Sequence, residues 1–311
     1  MDYKCSSSDP PAMVVADLGD LCGECPVWDS EDGRLFWTDC VGLEFNCYDP
    51  RLDAAATVRK GIEIYGFRKA VTGGWVITNL SGAWLWDGQG ELVPLVAEAD
   101  GEPCPFNDCC TDVRGRLIAG TIFYAPGTDY RLGSLVVIDL DGSARILDGG
   151  YHLANGIGFS PNGATLYATD TVARRIYAYD YDAATGTASG KRVLVELPAT
   201  EGIPDGLDVD EEGYLWSASW YGGCVNRFNP QGGLDRRLSV NAKQVSSAAF
   251  GGPDLADLYI TTAGQSETLP VMPPGYDPSI GPFGGQLLRA RPGVRGLARP
   301  LAAIRPRKRT S

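Results

Sequence analysis

A glycine-marked turn running into a short apolar strand recurs along the chain, and this recurrence limits the possible folds more than any other feature. It appears as EDGRLFWTDC around Gly33, TGGWVITNL around Gly73, VRGRLIAGT at Gly115, PNGATLYATDT at Gly163, EEGYLWSASW at Gly213 and PDLADLYITTA around Ala256. The intervals run from about 40 to about 50 residues, the range over which four-stranded propeller blades repeat. In each unit a D-G or N-G type turn gives way to alternating apolar residues, as a hairpin entering a half-buried strand requires. Further short strands, SLVVIDLDG and RIYAYDYDAATG among them, fill the gaps and end in Asp/Gly turns, so four strands fit each interval. Six units predict an all-β, six-bladed propeller. A β-sandwich of similar length would not show one long period.

Composition agrees with this reading. The 311 residues are 44% hydrophobic, enough for a large core, and 40 glycines with 21 prolines favour a turn-rich β chain over a helical one. The expected organisation is an N-terminal arm over 1–12, one propeller domain over 13–303 and a basic tail over 304–311. A formal net charge of −12 opposes binding to nucleic acid or anionic membranes. The one basic cluster, RPGVRGLARPLAAIRPRKRTS, reads as a solvated end. No run of about 18 apolar residues occurs, and MDYKCSSSDPPAMVV has no basic-then-apolar leader pattern. A cytoplasmic monomer or weak homo-oligomer with a small-molecule substrate is expected.

The nine cysteines include a C-x-x-C pair, Cys22 and Cys25, flanking Glu24. Structural zinc would want a second pair at matching spacing, and none exists; a thioredoxin-like role would want a βαβ context, whereas LFWTDC leads into more strand. The cysteines are expected to be thiols, with Cys22 and Cys25 as small buried fillers around Glu24. The single histidine, His152, rules out a cage of several imidazoles, and no G-x-S-x-G elbow accompanies it. Pairing of His152 with a neighbouring group is expected rather than catalysis.

In a propeller the innermost strands converge on a central channel, so polar residues ahead of the turn signals lie at one mouth of it. GECPVWD, CPFNDCCTD, LANGIGFSPNG and GIPDGLDVDEEG precede four of the repeated turns. They place Glu24, Asn107 with Asp108, Asn155 and Asp205 about 8 to 9 residues before the turn glycine, one phase of the repeat. Asn155-Gly156 and Asp205-Gly206, taken alone, are ordinary turn dipeptides. Their common phase instead predicts a ring of oxygens suited to one hard divalent cation: calcium, magnesium or manganese, with zinc or iron less natural.

The stretches GECPVWD…GRLFWTD, FND…DVRGRLIAGT, NGIGFSPNGATLYATDT, IPDGLDVDEEGYLWSASWYGGCVNRFNPQG and SSAAFGGPDLADLYITTA resemble the gluconolactonase, regucalcin (senescence marker protein) and luciferin-regenerating enzyme family over nearly the whole chain. The resemblance implies a six-bladed propeller whose metal is held by Glu24 in G-E-x-P-x-W, Asn155 in N-G-I-x-x-S-P and Asp205 in P-D-G. It also implies that Asn107 and Asp108 line the substrate pocket. The family's pocket arginine, in R-x-N-D, is replaced here by Pro105, and Ala125 stands where the regucalcin branch carries an acid.

These features predict a metal-dependent hydrolase of a lactone or related cyclic ester. The metal polarises the carbonyl, and Asp205, as general base, activates the attacking water. Asn107, Asp108 and Phe106 contact the substrate. Without the arginine clamp a less polar ring is expected, beside Phe106, Phe123, Tyr124, Trp220 and Tyr221, unless Arg68 or Arg131 reaches in. Two alternatives stay open: another reaction of an oxygenated ring on the same scaffold, and a non-catalytic divalent-cation binder.

Overall fold

The computed structural model describes residues 11–123, 131–264, 269 and 271–307. Six four-stranded antiparallel sheets are arranged as blades. Their innermost strands are Gly23–Asp29, Gly66–Lys69, Phe106–Thr111, Ala154–Phe159, Ile203–Val209 and Val245–Gly251, and each lies against its neighbours around a central channel. The repeated apolar runs are the second strands, Arg34–Asp39, Trp75–Asn79, Leu117–Thr121, Thr165–Asp170, Leu215–Trp220 and Asp257–Thr262. These strands are covered by a blade on each side and are buried on both faces, not half-buried as the expected alternation implied. The outermost strand Ala54–Lys60 is mostly exposed.

The turn between first and second strands has the same chemistry in the third and fifth blades. Asp112 Oδ1 accepts from the backbone of Arg114 and Arg116, Asp210 Oδ1 from Glu212 and Tyr214, and the glycine that follows adopts a positive φ (Gly115 at 88°, Gly213 at 83°) that side-chain-bearing residues resist. The sixth unit lacks a glycine at this point, and Leu255 itself takes φ 53°.

The ring closes between the chain ends. Met13–Asp17 is the outermost strand of the sixth blade, pairing with Gln286–Ala290 so that Met13 faces Arg289 and Asp17 faces Gln286. The core consists of apolar seams between adjacent blades, for example Leu35, Trp37 and Tyr48 against Tyr259 and Leu287 where the sixth blade meets the first. After the last strand the chain crosses the lower mouth of the channel. Glu211 N donates to Arg295 O, Thr111 Oγ1 to Pro300 O, Ala302 N to Lys69 O and Arg305 N to Leu140 O. Ile304 is buried in the seam between the second and third blades, so the residues expected to begin a solvated tail start inside the packed molecule. No helix among the described residues is long and apolar enough to cross a membrane.

Candidate functional site

The inner strands are irregular where the sequence places its oxygens. In the first blade Glu24 pairs with Thr38, and the register then slips so that Val27 faces Phe36. Equivalent slips fall between Phe106 and Cys109, Asn155 and Ile157, Pro204 and Leu207, and Val245 and Ser247. A bulge turns a side chain away from the regular alternation, and the carboxylates of Glu24, Asp108 and Asp205 beside these slips lie close enough to act on one another's charge. Only the second blade runs straight, Gly66 pairing with Thr78 and Arg68 with Val76, and it contributes no acid or amide at this level.

Asn155-Gly156 and Asp205-Gly206 lie within strands and are not turns. A Cβ on Gly156 would stand 2.3 Å from Asp205 O, and one on Gly206 would stand 2.2 Å from Ser247 Oγ. Glycine is required because each inner strand presses on the next, which brings blades four and five close enough for Asn155 Nδ2 to donate to Asp205 Oδ1. Asn107 Nδ2 likewise reaches Ala154 O at 3.1 Å. Asn155 and Asp205 are buried, whereas Glu24, Asn107 and Asp108 are half-buried.

The carboxylates repel one another. Burial, together with the charge of Asp108, pushes Glu24 up to about 8. Burial also pushes Asp205 well above the carboxylate range, with Glu24 and Asp108 adding to the effect, and burial raises Asp108 against the opposing pull of Arg68. Buried like charges of this kind are stable together only when protonated or when a cation is present. Among the described residues no three Asp, Glu, His or Cys side chains form a ready-made cage, so a cation here would take the Asn155 amide oxygen beside the acids. The donor set is all oxygen and fits a hard divalent ion.

Phe106 does not face the mouth. It has no exposed surface and packs with Val76, Leu117 and Val136 in the seam between blades two and three, so the expected substrate contact through its ring is not formed. Tyr124 and Ala125 lie outside the described residues. Arg131 pairs with Glu102 at an exposed position and lies over Phe123, its guanidinium 4.6 Å from the ring centre. Trp220 and Tyr221 do gather near the upper mouth, in one apolar cluster with Cys22, Cys40 and Ile203.

That cluster also takes in a segment outside the repeat, which sequence periodicity could not have placed. Tyr276, from the long connection between Thr262 and Gln286, packs its ring 4.4 Å from that of Tyr221, and Tyr221 Oη accepts from Leu269 N at 2.7 Å. Arg174 holds the same connection by donating to Val271 O and, across the gap, to Glu201 O. Two more positioning residues went unread, Asp39 and Asp170, which end the second strands of blades one and four. Asp39 accepts from Leu21 N and Cys22 N, and Asp170 from His152 N and Leu153 N, so each fixes the backbone two residues ahead of Glu24 or Asn155. The repeated T-D at the ends of FWTD and YATD was the available signal. His152 Nδ1 lies 3.0 Å from Asp170 Oδ2, the neighbouring partner expected for it. No disulfide joins the described cysteines, and Cys22 and Cys25 are buried.

The SMP-30/Gluconolactonase/LRE-like family model matches residues 22–264. The pentonolactonase XacC of Haloferax volcanii is 34% identical over 261 residues, 80% of this chain and 84% of that protein. The 6-deoxy-6-sulfogluconolactonase of Pseudomonas putida is 32% identical over 286 residues, 91% of this chain and 95% of that one. A crystal structure described as a calcium-binding protein, regucalcin, from Agrobacterium tumefaciens superposes with a TM-score of 0.82 at 26% identity, covering 94% of this chain and 97% of its own.

Proposed function

Because the chain belongs to the SMP-30/Gluconolactonase/LRE-like family, we propose that it hydrolyses a lactone at the oxygen ring of Glu24, Asn155 and Asp205, with one divalent cation as cofactor. The observation that supports this reading is the register slip beside Glu24, Asn155 and Asp205 in blades one, four and five, with Glu24 and Asp205 near enough that their acids raise one another. The lactonase names of the relatives support the reaction class, and the calcium-binding description of the structural neighbour supports the cofactor.

A cation bound there supplies Lewis acidity to the lactone carbonyl. Asp205, oriented by the Asn155 amide, is the base that takes the proton of the attacking water and returns it to the ring oxygen as the acyl C–O bond breaks. Asp108, its Oδ1 accepting from Cys109 N at 2.7 Å, and Asn107 orient the ring oxygen or a hydroxyl. Trp220, Tyr221 and Tyr276 form an apolar flank that excludes water. Proline at 105 has no donor for a clamp, and neither Arg131, paired with Glu102, nor Arg68, sealed below, replaces one at the mouth.

The test is a pH-indicator assay over a panel of lactones with and without chelator. Turnover should require metal, should vanish in E24A, N155A and D205A together with calorimetric cation binding, and should be about ten-fold or more better on a weakly hydroxylated lactone than on gluconolactone, as loss of a bidentate arginine contact implies. Full metal affinity in all three alanine variants would falsify the site. Gluconolactone as the best substrate would overturn the reading of Pro105.

A further inference from the structure

The straight second blade contributes no oxygen to the ring, but it places a cation underneath. Gly66 leaves room for the third blade, since a Cβ there would stand 2.9 Å from Asn107 O and 3.1 Å from Cys109 N. Two residues on, Arg68 is only 6% exposed. Its Nη1 donates to Phe67 O at 2.6 Å and lies 3.1 Å from Cys25 Sγ, its Nη2 is 3.9 Å from Asp108 Oδ1, and its buried Nε has no partner. A guanidinium sealed this deeply is costly unless its charge is used. The next arginine, Arg299, is paired with Asp208 at 2.8 Å and is neutralised there.

We propose that Arg68 is a positioning residue for the lactonase site, the fixed counter-charge that anchors Asp108 and brings the cation-loaded site to electrical neutrality. Glu24, Asp108 and Asp205 bring three negative charges. Arg68 offsets one of them, and a divalent cation offsets the other two. Without Arg68 the loaded site keeps a net negative charge, which attracts the cation more strongly but opposes the oxyanion that develops on the lactone carbonyl. Arg68 thus weakens cation binding and favours the chemical step. A merely structural arginine would support both.

This inference rests on the cation site argued above, and calorimetry of metal-free protein with calcium and with manganese, beside steady-state lactone kinetics, keeps the two apart. Arg68→Met should bind cation at least about three-fold more tightly while kcat falls about ten-fold, and Arg68→Lys, which keeps the charge, should recover most of both. Wild-type protein that binds neither ion overturns the cation site and this inference with it. Wild-type binding with R68M no tighter, or weaker along with its activity, overturns this inference alone. Should R68M fail to fold, D108N carries the test: Arg68 is then unopposed beside the cation, affinity should fall at least about ten-fold, and an unchanged affinity overturns the proposal.

Discussion

Glu24 and Cys25 are chain neighbours with different fates. The bulge leaves Glu24 half-buried at the mouth, while Cys25 packs in the seam of blades one and two, where burial pushes its thiol up to about 11. At that value the sulfur is a thiol at neutral pH and no nucleophile, and its contacts run to Phe67 N and Arg68 Nη1. Changing Cys22 and Cys25 together to alanine should therefore leave bound metal and turnover within a few-fold; loss of all metal, measured by atomic absorption, would show that the sulfurs are ligands. Asp20 shows the same dependence on surroundings. It accepts from Trp37 Nε1 at 2.7 Å and Asn46 Nδ2 at 3.0 Å, yet burial pushes its carboxyl up to about 7. The folded state thus favours the protonated acid. Its stabilising contribution is complete below the unfolded value of about 4 and is lost as pH rises through about 7. The melting temperature of D20N relative to wild type should climb between pH 5 and pH 8, and a gap independent of pH would contradict this.

Elements do two jobs here. The second strands supply buried apolar length, and the first strands supply the bulges that aim the chemistry. The first job was legible as the long repeat, because burial on both sides forces apolar runs at a fixed interval. The second was legible only as a common phase of polar residues, since one letter does not say whether a strand will slip. Met13–Asp17 has a third role, pairing with Gln286–Ala290 and burying Ala16 to close the ring. A chain starting at Leu18 should melt at least about 2 to 3 °C lower, as expected for the loss of one to two kcal/mol or more, and should self-associate through the uncovered edge. Calorimetry and gel filtration would show this, and an unchanged elution volume with unchanged melting would refute it.

For the whole molecule, the proposed site is where distant parts of the chain meet. Glu24, Asn155 and Asp205 come from blades one, four and five, so a bound cation would tie together sheets that otherwise touch mainly through apolar seams. A ligand at about 100 times its dissociation constant stabilises by about 2.7 kcal/mol, so calcium or manganese at saturation should raise the melting temperature by at least about 3 °C. D205N should abolish the shift, and a shift that survives it would place the cation elsewhere.

The sequence by itself determined the number of blades, the strands that carry the core and the phase of Glu24, Asn107, Asp108, Asn155 and Asp205, because each depends on local turn chemistry and on a periodicity that burial imposes. Tertiary structure decided what depends on contacts between blades. It packed Phe106 into a seam rather than a pocket wall, folded Ile304 into the core, brought Tyr276 onto Tyr221 from outside the repeat, and placed Arg68 under Asp108. None of these is periodic, since each is set by which side chains of different blades share a space, and that is fixed only once the ring has closed.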